Sequence, residues 1–190
     1  MADLITLQEY KDLQGLVNPK DDYKLTQFIA AVSQLVKTYC GNSIIDFYST
    51  NKVETFTLDW GTHIVQLTES PANTLVSVQK RETVDTTYET LNASDYYLDT
   101  PTDSVLYVSG SSYRNWPTGA GSVKITYTAG YSETPADLKM AVNDLVTYYL
   151  KDEHKVRRSL QGATLENSPG GEGRGFPDHI KRVLDLYKTF

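Results

Sequence analysis

Thiols are nearly missing from this chain: Cys40 stands alone among 190 residues. One cysteine cannot form an intrachain disulfide, so the fold holds without one and a reducing compartment is the expected setting. A lone thiol can serve as a nucleophile beside a distant histidine; the favoured reading is a small core residue at a helix end. Histidine is scarce as well. His63, His154 and His179 form neither HxxxH nor a Cys-His cluster, so surface or half-buried positions are expected and a metal site is not. No GxSxG elbow is present for serine catalysis. The glycine-rich PGGEGRG lacks GK[ST], has the wrong spacing for GxGxxG and follows no hydrophobic strand, so it reads as a linker. Carboxylates are plentiful, and Asp21, Asp22, Asp137 and Asp178 are accounted for by helix starts. A glycosidase-type carboxylate pair is set by folding, so spacing does not address it. No catalytic set and no cofactor is expected.

Long apolar runs are absent too, and none approaches the length needed to cross a bilayer. The start, MADLITLQEY, lacks a basic segment followed by an apolar run, so no secretory signal is expected. The expectation is a soluble intracellular product without a membrane partner. Positive charge is in deficit, with 18 Lys+Arg against 24 Asp+Glu, a net charge of −6 and a pI near 5.0. Duplex affinity comes mostly from neutralising phosphates, so a protein that grips DNA is disfavoured.

What the chain does have is tyrosine, 14 copies, which suits half-buried sheet faces and interfaces. Its length fits one domain or one domain with an insertion. The first 40 residues read as two helices. Thr6 and Glu9 have capping-box spacing, and Ile5 is placed to staple onto Tyr10. Gly15 to Pro19 breaks the first helix. The second starts near Asp21 and Asp22, carries Leu25, Phe28, Ile29, Val32, Leu35, Val36 and Tyr39 on one stripe, and ends at Gly41 with Lys37 in its last turn.

From about Val53 to Thr128 the period changes to two. VETFTLDW, HIVQLTE, TLVSVQK, TTYETL, DYYLD, SVLYVSG and VKITYT predict roughly six or seven short strands in an antiparallel sheet or sandwich. Helix then returns, with Thr134 as N-cap, Pro135 at the first helical position and Asp137 at N3. Its apolar side chains, Tyr148, Ala141, Leu145, Leu138, Tyr149, Val142, Val146 and Leu150, spread over roughly 200°, about twice the stripe that one core needs. Part of that arc is expected to cover the β insertion and the rest to face another subunit. Candidates for subunit packing are Met140, Val146, Tyr148 and Leu150. Residues 159–175 are expected to be a flexible loop, and Phe176-Pro177-Asp178 opens a last helix with Ile180, Val183, Leu184 and Tyr187 inward.

The fold class expected is α+β: a helical bundle of the N- and C-terminal helices with an inserted small antiparallel β-sheet or sandwich. The expected division is 1–50 and 131–190 for the helical frame and 51–130 for the inserted β domain. One basic cluster, Lys151, His154, Lys155, Arg157 and Arg158, has three readings: stabilising a helix C-terminus, salt bridges to a partner protein, or nearby DNA phosphates.

Three segments together resemble the head–tail connector, or adaptor, proteins of tailed bacteriophages: AVSQLVKTYCGNSI, YTAGYSETPADLKMAVNDLV and FPDHIKRVLDLY. The specific parts are the helix ending in Tyr-Cys-Gly and the Tyr-x-x-Gly-Tyr-x-x-x-Pro-x-Asp-Leu junction, with one departure at Asn42, where many relatives carry a basic residue. The resemblance implies a non-enzymatic virion protein of the neck, assembled in the host cytoplasm. It implies a homo-oligomeric ring, commonly of twelve copies, docked under the portal protein and offering a platform to a stopper or tail-completion protein. DNA would pass through the channel without sequence-specific binding. Candidate residues for the portal or subunit interface are Arg157, Arg158, Arg174, Phe176, Lys181, Arg182 and Phe190. The junction is expected to set the angle between sheet and helical frame. The competing reading is a small β-domain ligand-binding module or enzyme, for instance for carbohydrate, using Trp60, Trp116 and Tyr113.

Overall fold

A computed structural model of the chain describes residues 2–151 and 176–188, and the backbone of 157–160 and 163–166. The described residues form an α+β fold with four α-helices and antiparallel sheets. The chain divides into two compact units: one of residues 1–41 with 133–188, the other of residues 42–132.

In the helical unit, α1 (Leu7–Gln14) starts in the capping box that the sequence calls for. Thr6 Oγ1 accepts from the Glu9 amide at 3.2 Å, and Glu9 Oε2 accepts from the Thr6 amide at 2.7 Å. Ile5 and Tyr10 are both buried. A short 3₁₀ turn, Pro19–Asp21, leads into α2 (Asp22–Cys40), which Gly41 ends in the left-handed region at φ 76°. Leu25, Ile29, Val32 and Val36 are buried as expected, whereas Leu35 is 38% exposed. The reason is rotational: the buried face runs through Ser33, Lys37 and Cys40 instead, with Ser33 Oγ accepting from the Leu4 amide. Lys37, expected only to complement the helix end, is buried and donates from Nζ to the Ala2 carbonyl at 2.6 Å.

α3 spans Ala136–Leu150. Pro135, not Thr134, is its N-cap, with no side-chain cap bond; the buried Thr134 precedes it, and Asp137 falls at N2. Hydrogen bonds tie the helices of the two chain ends together. Lys139 Nζ reaches Glu9 Oε1 at 2.7 Å, and Tyr10 Oη lies 3.1 Å from Thr147 Oγ1. α4 (Asp178–Leu184) inserts Ile180 and Leu184 into the core, and the 3₁₀ turn after it is fixed by two bonds, Tyr39 Oη to Asp185 and Tyr187 Oη to Asp137, each 2.6 Å.

One expectation is overturned between α3 and α4. α3 stops at Leu150 with Lys151 as its C-cap and no basic residue in its last turn, and Arg157 and Arg158 of the basic cluster fall in a strand. In place of a structureless loop beginning at 159, β9 (Arg157–Leu160) pairs antiparallel with β10 (Ala163–Glu166). The signal was Gln161-Gly162, a two-residue connection ending in glycine between two short runs, which favours a hairpin. His154, Lys155 and residues 167–175 lie outside the described residues.

The second unit holds β1 (Lys52–Leu58), β2 (Ile64–Gln66), β3 (Ala72–Lys80), β4 (Glu89–Thr90), β5 (Tyr96–Asp99), β6 (Ser104–Ser109), β7 (Ser112–Tyr113) and β8 (Gly119–Ala129). They make an antiparallel sheet ordered β1-β8-β3-β4 and another ordered β2-β6-β5, with β7 paired to β6. Val78, Val123, Ile125 and Tyr127 from the first sheet share one core with Val65, Val105 and Tyr107 from the second. Alternation places them there: in β8, positions 123, 125, 127 and 129 are buried and 124, 126 and 128 are only partly so.

Candidate assembly surface

Cys40 is fully buried, and its Sγ lies 3.6 Å from the Leu184 carbonyl oxygen. Burial, reinforced by the nearby Asp185, pushes its thiol up to about 11, the opposite of what a nucleophile requires. Its native-state reaction with Ellman's reagent at pH 8 is therefore expected to be undetectable over minutes and to follow global unfolding in denaturant. Rapid stoichiometric reaction of the folded chain would contradict that burial. His63 packs its ring on Tyr113, 4.7 Å between centroids, and His179 is exposed on α4. No group of three or more His, Cys, Asp or Glu able to hold a metal occurs among the described residues. No helix among them is long and apolar enough to cross a membrane. Trp116, one of the three aromatics considered for a ligand, is buried and stacked on Tyr107 at 4.6 Å, so it cannot meet one; Trp60 and Tyr113 are exposed.

What remains is surface available for assembly. On α3, Met140 is 60% exposed, one residue beyond the Lys139 that clamps Glu9. Tyr148 and Leu150 are half-buried, Tyr148 making an edge contact with Tyr149. Val146 is wholly buried in the chain's own core, so its side chain has no surface left for a neighbour. On α4, burial of Ile180 and Leu184 turns Lys181 and Arg182 outward. Phe176 is half-buried, its ring edge-on to Tyr39 at 4.9 Å. Hydrogen bonding to Asp185 pushes the Tyr39 hydroxyl up to about 12, so this α2–α4 contact stays neutral on the tyrosine side across ordinary pH. Arg157 and Arg158 fall in β9, opposite Glu166 and Leu165 in register. Arg174 and Phe190 lie outside the described residues.

A more prominent feature surrounds the helix break expected at Gly15 to Pro19. Leu13, Leu16, Val17 and Tyr23 are 64%, 45%, 91% and 82% exposed, four apolar side chains within eleven residues. The turn that carries them is rigidly built. Lys11 is buried and sends its Nζ to Asp22 Oδ1 at 2.8 Å and to the Asn18 carbonyl at 3.4 Å. Gly15 takes φ 65°, the Leu16 amide returns to the Lys11 carbonyl, and Asn18 caps the next turn through the Lys20 amide. Ordering the backbone in advance removes an entropic cost of docking, and exposed apolar clusters mark interaction sites. The readable signal was a Leu16-Val17 doublet with no helical or strand partner.

Comparison with known proteins agrees with a role in assembly. The chain matches the family described as head completion protein over residues 3–190. It is 25% identical to the head completion protein of Escherichia phage T5 over 186 residues, 97% of this chain and 98% of that one. Among solved structures, a chain from the neck of an empty gene transfer agent (GTA) particle, with C6 symmetry, has a similar fold: TM-score 0.63, 16% identity, 98% of this chain and 90% of that one. A chain from the neck of a native GTA particle, with C12 symmetry, gives a TM-score of 0.60 at 15% identity, covering 100% and 94%.

Proposed function

We propose that this chain, which belongs to the head completion protein family, is a structural connector between the head and tail of a tailed phage. Copies form a ring, of twelve in the simplest case, that docks on the portal at the capsid vertex, extends the DNA channel and offers a platform to a stopper or tail-completion protein. The observation that carries this reading is the family match over nearly the whole chain, helical ends and β insertion included. The fold shared with chains from GTA particle necks described with C6 and C12 symmetry supports the ring. A repeated contact between different faces of one chain closes when its rotation allows, and the rigid Leu13–Tyr23 turn and exposed Met140 supply apolar area for such contacts. The net charge of −6 suits a conduit, because DNA then slides past without sticking. Nothing in this role requires catalysis.

The reading is tested by Val17→Asp combined with Tyr23→Ser in the full chain. Both side chains are exposed, so the fold is expected to survive with an unchanged circular dichroism spectrum. Each contact is expected to weaken by about 2 kcal/mol, the scale of an interface hot spot. Infectious titre should fall by orders of magnitude, with tailless heads in electron micrographs. Normal tailed particles from the variant would reject this surface, and absence of the chain from the neck of wild-type particles would reject the function.

A further inference from the structure

The β unit carries a hollow on the outer face of its second sheet. In its second sheet, Val65, Val105 and Tyr107 point into the core, so by alternation their neighbours point away. Register aligns Ile64, Leu106 and Tyr97 in one row across β2, β6 and β5, and sets Val108 opposite Tyr113. Tyr97 is 60% and Tyr113 67% exposed. Together with Leu106 and Val108 they line a hollow of about 590 Å³, to which Ser94, Asp99 and Ser111 add polar groups. That volume lies within the roughly 300–1,000 Å³ of small-ligand sites.

The lining selects its ligand. Tyr113 is backed by the His63 ring, and Asp99 Oδ2 is held by the Thr102 hydroxyl at 2.6 Å, which leaves the other carboxylate oxygen without a hydrogen-bond partner among the described residues. No Lys or Arg lines the hollow. A phosphate or a nucleic-acid backbone would therefore meet a carboxylate and no cation. A purely apolar partner would cover the Asp99 charge without pairing it, which costs several kcal/mol. A neutral sugar fits both halves: its C–H faces lie against tyrosine and aliphatic side chains, and its hydroxyls donate to a fixed carboxylate and exchange bonds with serine and tyrosine hydroxyls. The geometry points to a binding site for a neutral carbohydrate on the outer face of β2-β6-β5, independent of the connector role.

The test uses the full chain and four neutral probes, maltotriose, cellotriose, chitotriose and lactose, read by saturation-transfer NMR and calorimetry. At least one is expected to bind with Kd of about 1 mM, a usual strength for a shallow site. Tyr97→Ala and Tyr113→Ala should each weaken it roughly tenfold, the worth of one aromatic contact. Asp99→Asn should weaken it as well, and Trp60→Ala, outside the hollow, should not. Should either tyrosine variant lose thermal stability, Ser111→Trp, which fills the hollow from an exposed turn, serves in its place. No binding of any probe at about 10 mM, a value tenfold above the expected Kd, overturns the proposal, as does binding that survives both tyrosine substitutions. Protection of Tyr97 and Tyr113 from hydroxyl-radical labelling in assembled particles, with no sugar bound, overturns it in favour of a protein partner.

Discussion

Gly130→Ala is expected to cost about 3–5 kcal/mol, a large share of a typical domain stability. Gly130 follows β8 at φ +89°, and a Cβ built on it falls onto the Ile44 carbonyl oxygen. That oxygen cannot retreat, because it accepts from the Tyr131 amide at 2.8 Å. Gly130 is held from its own side by its amide on the Pro71 carbonyl, and by Asn73 Nδ2 on its carbonyl at 2.9 Å. Ile44 is itself buried at φ 63°, with its amide fixed by Asn42 Oδ1. The penalty thus adds left-handed strain, about 1–2 kcal/mol for a residue with a Cβ, to a backbone collision that no rotamer relieves. Gly110→Ala separates the two parts: φ is +61° there, with nothing within 4 Å of the added carbon, so only the strain of about 1 kcal/mol should appear. Urea unfolding followed by tryptophan fluorescence reads both. Equal losses at the two positions would refute the collision.

The second large effect is expected at Glu69, buried in the β unit. Its carboxylate accepts from the Ser43 amide at 2.7 Å, from Ser43 Oγ at 2.8 Å and from Lys52 Nζ at 2.7 Å, while its amide donates to the Tyr127 hydroxyl oxygen at 3.1 Å. Lys52 also pairs with Glu54 at 3.0 Å. Glu69→Ala strands the Ser43 donors and half of the Lys52 pairing, an expected loss of about 2–4 kcal/mol at neutral pH. Burial works against the Lys52 charge, but its hydrogen bonds to Glu69 and Glu54 outweigh that and leave its pKa raised. A raised lysine contributes stability below its unfolded value, near 10.5, and loses it as pH climbs through the folded value. The gap between wild type and Glu69→Ala should therefore be widest below pH 10 or so and narrow above it. A gap independent of pH through that window would show that Lys52 does not feel Glu69.

These effects separate what is local from what is not. The capping box of Thr6 and Glu9 and the Gly41 stop were readable because each depends on residues a few positions apart. The strands from β1 to β8 were readable because alternation is a local period. β9 and β10 are hard to read from sequence because two four-residue runs carry little period, and Gln161-Gly162 between them equally fits linker composition. Leu35 was misplaced because a stripe counted at 100° per residue does not say which edge of the arc meets the core. The site suffered most. Val146 and Met140 stand on one helix with similar chemistry, yet one is wholly buried and the other 60% exposed.

By itself the sequence determined the α+β class, the order of the elements from α1 to α3, and the absence of an intrachain disulfide and of recognisable catalytic motifs, because these follow from composition, short-range periods and capping chemistry. Tertiary structure alone decided that Gly130 must lack a side chain, that Glu69 and Lys52 meet in a buried network, and that Leu16 and Val17 face outward on a braced turn. Each of those depends on atoms brought together from distant parts of the chain or on which surface the packing leaves uncovered. No window of neighbouring residues contains that information.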